Sequence, residues 1–133
     1  MELPRVGEFI DTERARELCA FFGLHYLVER IDKSTHDAFK TWKFDGASMV
    51  PDDLFARIAQ IPSLVVIALK HDLKYAYGEP GNQREKERAD REFKADLLAD
   101  GAASVTAEVM YQAVRAFGNM PRASFAWGFA RRA

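Results

Sequence analysis

Four residues in this sequence are best equipped for chemistry: a histidine followed at once by an aspartate, a tyrosine four positions past that histidine, and an aspartate fifteen beyond the tyrosine. They are His71, Asp72, Tyr75 and Asp90. An imidazole titrates close to neutral pH and can take or give a proton there, whereas a carboxylate can orient the ring or ligate a hard cation. The stretch from Leu64 to Tyr77 has helical spacing, with Ser63 at its start and Gly78 at its end. On a wheel of about 100° per residue, Lys70 and Lys74 fall together and mark the expected solvent side. Asp72 lies opposite them, among Val65, Ala68, Leu69, Tyr75 and Ala76, with His71 on the shoulder.

An ionised carboxylate among apolar side chains costs several kcal/mol unless it is paired, so Asp72 is expected to have a partner. On the next helix, Asp90 borders the apolar stripe of Ala89, Phe93 and Leu97, and a short connection favours antiparallel packing that turns it toward His71 and Tyr75. Two readings follow. In the structural one, His71, Asp72, Tyr75 and Asp90 are a satisfied network, or Asp72 pairs with Arg84 or Arg88. In the functional one, His71 is a general base, Asp90 holds its ring in one tautomer, Tyr75 hydrogen-bonds Asp90, and Asp72 is an oxygen ligand for a cation such as calcium, with Asp45 as a further ligand.

The runs His71-Asp72-Leu73-Lys74-Tyr75 and Ala89-Asp90-Arg91-Glu92-Phe93 resemble the H-D-x-x-Y and A-D-x-x-F pattern of phospholipase A-two enzymes, and the disulfide-free parvoviral branch is the most similar. The resemblance implies that His71 activates water, Asp72 binds calcium, Asp90 orients the histidine and Tyr75 supports Asp90. The family's glycine-rich calcium loop has no counterpart, since no G-x-G occurs; the nearest substitute is Asp45-Gly46-Ala47-Ser48. A longer pattern, from that turn through Pro51 and both motifs to Tyr111–Gly118, is similar to a family of small proteins of unknown function encoded by phages and prophages. It implies a genomic setting, such as a phage particle or phage-derived secretion device, rather than a reaction.

Other signals are weaker. Ser48 beside a histidine and an aspartate invites a serine-hydrolase reading, but no G-x-S-x-G elbow surrounds it. His25, His36 and His71 lack ligand spacing for a transition metal. The charged run from Arg84 to Lys94 mixes signs at helical spacing, as a solvated face does. Phe125, Trp127 and Phe129 alternate, with Arg122 before them and Arg131 and Arg132 after. They read as an extended segment folded back over the core, or as an anchor for lipid or for a phage or secretion-particle protein.

The elements that must position these residues are an N-terminal helix from Asp11 or Thr12 to Phe22 and two short strands within 24–44. A short helix near 51–60 follows, then helices at 64–77, at 83–99 and at 104–117, the last with Val105, Val109, Ala113 and Phe117 facing inward. The expected fold is α+β and predominantly α, with four to five helices and a small two-stranded β element near residues 24–44. With 133 residues, 48% of them hydrophobic, one domain with a real core is expected: 1–44 as its N-terminal part, 45–118 as the helical core carrying the site, 119–133 as a tail. Nineteen basic against twenty acidic residues leave no field to recruit a polyanion, so nucleic acid is not an expected partner. The lone Cys19 excludes an internal disulfide. Without a signal-like start or a long apolar run, the chain is expected to be cytoplasmic as synthesised, with delivery in a phage-derived particle implied by the resemblance.

Overall fold

The structure is a computed structural model, and it describes residues 2–35, 37–44, 63–118 and 126–132. Among these residues, five helices and one two-stranded antiparallel sheet make a predominantly α, α+β fold. The short helix expected near 51–60 lies outside the described residues.

Helix α1 spans Thr12–Phe21, and the carboxylate of its N-cap, Asp11, accepts from the Arg14 amide at 2.8 Å. Gly23 turns the chain with φ of 73°, a conformation that a side chain would strain. Helix α2, His25–Lys33, then replaces the expected first strand. The reason lies in the packing period: Leu27 and Ile31 are buried, and Leu24 and Val28 pack against the same core, the spacing of one helical face. The strand preference of Tyr26, Leu27 and Val28 is a weak prior that this burial overrides.

The sheet therefore draws its other strand from elsewhere. Strand β1, Phe9–Ile10, pairs with β2, Trp42–Lys43, in the register Phe9↔Lys43 and Ile10↔Trp42. Flanking bonds from the Gly7 amide to the Phe44 carbonyl at 2.7 Å and from the Phe44 amide to the Glu8 carbonyl at 2.9 Å extend the ladder.

Three further helices complete the fold: α3 (Leu64–Ala76), α4 (Gln83–Ala99) and α5 (Ser104–Gly118). Ser63 sits at the N-cap of α3 without capping through its side chain; its amide instead donates to Asp100 at 2.8 Å. Asn82 does cap α4, accepting from the Glu85 amide at 3.0 Å. Helix α3 is central. Its Ala68, Leu69, Leu73 and Ala76 join the core built on α1, α2 and the sheet, whereas its Ile67 joins Phe93 and Leu97 of α4 and Ala107 and Met110 of α5.

Two expected faces are corrected. On α5, Val105 and Val109 point outward, 67% and 44% exposed, while Thr106, Ala107 and Met110 are buried. Small Ala107 lets α5 sit close to its neighbours, so fit outranks side-chain hydrophobicity in choosing the stripe. On α3, Ala68, Leu69, Tyr75 and Ala76 are buried as expected, but Val65 is 48% exposed, Asp72 is half-buried, and Lys74 is 4% exposed. A helix packed on most sides has only a narrow outward strip, and a lysine can bury its stem while its ammonium meets a carboxylate, here Glu92 at 3.4 Å.

The segment Ala126–Arg132 folds back over the core as a turn rather than an extended strand. Gly128 takes φ of 80° at its corner, and Ala130 is fully buried.

Candidate functional site

His71 and Tyr75 stand one turn apart on α3, so both project from the same face toward α4. Asp90, on the facing turn of α4, is fully buried between them. One of its carboxylate oxygens, Oδ1, lies 3.0 Å from His71 Nε2 and accepts the Tyr75 hydroxyl at 2.5 Å. The other, Oδ2, accepts Lys86 Nζ at 3.0 Å, from one turn earlier on α4. Helix α5 closes the group with backbone carbonyls: Val114 accepts from Tyr75 at 3.2 Å and Arg115 from Lys86 at 3.3 Å. Three helices thus converge on one carboxylate.

Aromatic rings enclose the imidazole. Its centroid lies 4.4 Å from that of Tyr75 and 4.6 Å from that of Phe93, which leaves His71 only 7% exposed. Burial, followed by the nearby charges of Lys74 and Lys86, outweighs the pull of Asp90 and holds the imidazole below its ordinary pKa. Burial works in the opposite sense on Asp90. The hydrogen bonds from His71, Tyr75 and Lys86 overcome it and keep the carboxyl below the usual range. Burial and the adjacent Asp90 charge raise the Tyr75 phenol, which stays a hydroxyl donor.

These states fix the tautomer. A carboxylate only accepts, so the 3.0 Å contact with Asp90 requires the proton on His71 Nε2 and leaves the lone pair on Nδ1. Among the described residues, nothing donates to Nδ1, and no side-chain nitrogen or oxygen sealed from solvent lacks a partner.

The structure brings His71, Tyr75 and Asp90 together and sets Asp72 on the outer flank of the same helix, half-buried and not without a partner. The burial expected for Asp72 belongs to His71, which the structure places against Asp90. Asp45 and Ser48 lie outside the described residues. Calcium takes six to eight oxygen ligands, and the described part of the site offers it one carboxylate, Asp72. Among the described residues no group of three or more His, Cys, Asp or Glu is placed to hold a metal ion.

Lys86 is the participant that sequence reasoning missed. It was read as part of a solvated face, yet it is 2% exposed. The signal was its spacing, a lysine four residues before an aspartate already placed on the inner face.

The turn at Ala126–Arg132 packs against the Tyr75 side of the site. The Trp127 ring meets Tyr75 edge-on, with centroids 5.1 Å apart, and its Nε1 donates to the Glu79 carbonyl at 2.7 Å. Phe129 packs edge-on against Trp42 at 5.2 Å, and Phe125 lies outside the described residues. Trp127 and Phe129, the residues of the expected anchor, are half-buried by these contacts.

Comparison of the chain with protein-family models, with curated proteins and with solved structures gave no match.

Proposed function

We propose that this protein is an ester hydrolase in which His71 draws a proton from water through Nδ1. The observation that carries this reading is the Asp90–His71 contact through Nε2, because it leaves a neutral imidazole whose basic nitrogen, Nδ1, is not the one held by Asp90. The water oxygen bonds to the ester carbonyl carbon as its proton passes to Nδ1. The carbon–oxygen bond to the alcohol then breaks, and the same proton goes from Nδ1 to the leaving oxygen. Asp90 keeps the ring oriented and stabilises the imidazolium formed in between, and Tyr75 holds Asp90.

The likeness of the two motifs to phospholipase A-two enzymes makes a phospholipid the first substrate to try, with calcium at Asp72 and Asp45 as part of the proposal. Trp127 and Phe129 as a lipid or particle contact, and a phage-type setting, rest on that same likeness and on the aromatic pattern.

A second reading has its own support. Lys86 already neutralises Asp90, and every donor and acceptor of the network that is sealed from solvent is satisfied, as expected of a polar staple joining three helices.

His71→Gln separates the two. Turnover of anionic phospholipid vesicles and of a short-chain ester, with and without millimolar calcium, should be present in the unaltered protein and lost in the variant, with the thermal midpoint nearly unchanged. A staple gives the reverse: no turnover at the outset and a loss of a few kcal/mol in the variant. A midpoint that does not rise with calcium overturns the cation site.

A further inference from the structure

We propose that Lys86 is a positioning residue for this centre, holding the Asp90 carboxylate in the one rotation that presents Oδ1 to His71. The inference deepens the hydrolase reading and rests on it for its kinetic part only.

The argument starts from the division of labour between the two carboxylate oxygens. Oδ1 receives both His71 and Tyr75, at 3.0 and 2.5 Å, and Oδ2 receives Lys86 alone, at 3.0 Å. Rotation about the last bond of an aspartate is soft and roughly two-fold, so two partners on one oxygen do not by themselves fix the plane of the group. A charged donor on the far oxygen does, since turning the carboxylate would strip a buried ammonium of its counter-ion.

Lys86 can serve as a fixed point because it is itself fixed on three sides. Its Nζ donates to the Arg115 carbonyl at 3.3 Å and lies 5.8 Å above the Tyr75 ring centroid. Its stem passes Gly118 so closely that a Cβ there would stand 2.7 Å from Cε and 2.5 Å from the Tyr75 hydroxyl. Gly118 is thus the gap through which the ammonium and the phenol reach one carboxylate. The Lys86 charge helps keep the imidazole neutral, and its hydrogen bond reaches the ring only through Asp90.

The test uses the full chain and three variants: Lys86→Met, Lys86→Arg and Gly118→Ala. Nitrogen NMR of the His71 ring reports which nitrogen carries the proton, and vesicles of phosphatidylglycerol report kcat and KM. The unaltered protein should show the single Nε2-protonated form. Lys86→Met should mix the two tautomers and lower kcat by roughly tenfold to hundredfold, with KM within about twofold. Lys86→Arg, which restores a charged donor, should recover the single form and part of kcat. Gly118→Ala keeps every charge and displaces the ammonium, and it should also mix the tautomers. A Lys86→Met protein with the unaltered ring signature and unaltered kcat per folded molecule overturns the proposal. Should Lys86→Met fail to fold, a single unaltered tautomer in Gly118→Ala overturns it instead. If the parent protein hydrolyses nothing, the hydrolase reading falls, and the ring spectra still decide what Lys86 does.

Discussion

Replacing Asp90 with asparagine keeps the shape of the side chain and removes its charge, so the cost can be worked out from what remains around Lys86. The carbonyl oxygen of the new amide can still accept from His71 or Tyr75. Its NH2 must then face the Lys86 ammonium, donor against donor, at the position where Oδ2 now lies 3.0 Å away. Lys86, 2% exposed, keeps the Arg115 carbonyl at 3.3 Å and the face of Tyr75, and has no counter-ion there. Leaving such a charge unpaired costs about 3–5 kcal/mol. Asp90→Asn should therefore lose about 3–5 kcal/mol in urea denaturation at pH 7, a large part of the stability of a domain this size.

The matched double variant, Asp90→Asn with Lys86→Met, removes the stranded charge. It should be more stable than Asp90→Asn alone, with a coupling energy of about 2–3 kcal/mol between the two sites. A penalty below about 1 kcal/mol, or additivity within about 0.5 kcal/mol, would refute the claim that this pair is a buried, mutually dependent ion pair.

Two other outcomes follow from the same geometry. Because burial lowers the His71 pKa below the unfolded value of about 6.5, the unfolded chain binds a proton that the folded chain resists. Stability should therefore fall on acidification below about pH 6.5, by up to about 1.4 kcal/mol per pH unit until the lower folded pKa is reached. The difference between the parent and His71→Gln isolates this slope, and a flat difference between pH 6.5 and 5 contradicts it. Gly78→Ala would put a methyl 2.3 Å from the Trp127 ring, so the indole must leave its seat at about 1–3 kcal/mol; a red-shifted tryptophan emission should accompany the loss.

How much of this was legible varies with the physics involved. Helices α1, α3, α4 and α5 were readable because caps and stops are local: Asp11 and Gly23 bound the first of them, and Gly78 and Gly101 follow α3 and α4. The approach of His71, Tyr75 and Asp90 was readable from helical spacing and a short antiparallel connection. Helix α2 was not, since residues 25–31 carry strand-favouring types on a helical period and only tertiary packing decides between them. The pairing of Phe9–Ile10 with Trp42–Lys43 is non-local, and no turn signal announces it. The wheel's inner face holds for Ala68, Leu69, Tyr75 and Ala76, which are buried; it misplaced Val65, Asp72 and Lys74, the last because it treated lysine as a marker of solvent. In this protein Lys74 and Lys86 are inside, each against a carboxylate.

The turn at Ala126–Arg132 has a consequence for how the protein is made. Its Ala130 carbonyl accepts from Lys40, its Arg132 amide donates to Ala38, and its Gly128 and Ala130 amides donate to Tyr75 and Ala76. Residues near 40 therefore wait for partners about ninety positions downstream, and a ribosome adding roughly 5–20 residues per second leaves that wait at several seconds or more. Throughout it, Phe39 and Trp42 lack the cover that Ala130 and Phe129 later supply, so the nascent N-terminal half spends the interval with an open apolar seam. Chaperone occupancy should accordingly stay high through translation and drop only after release, when the turn can dock.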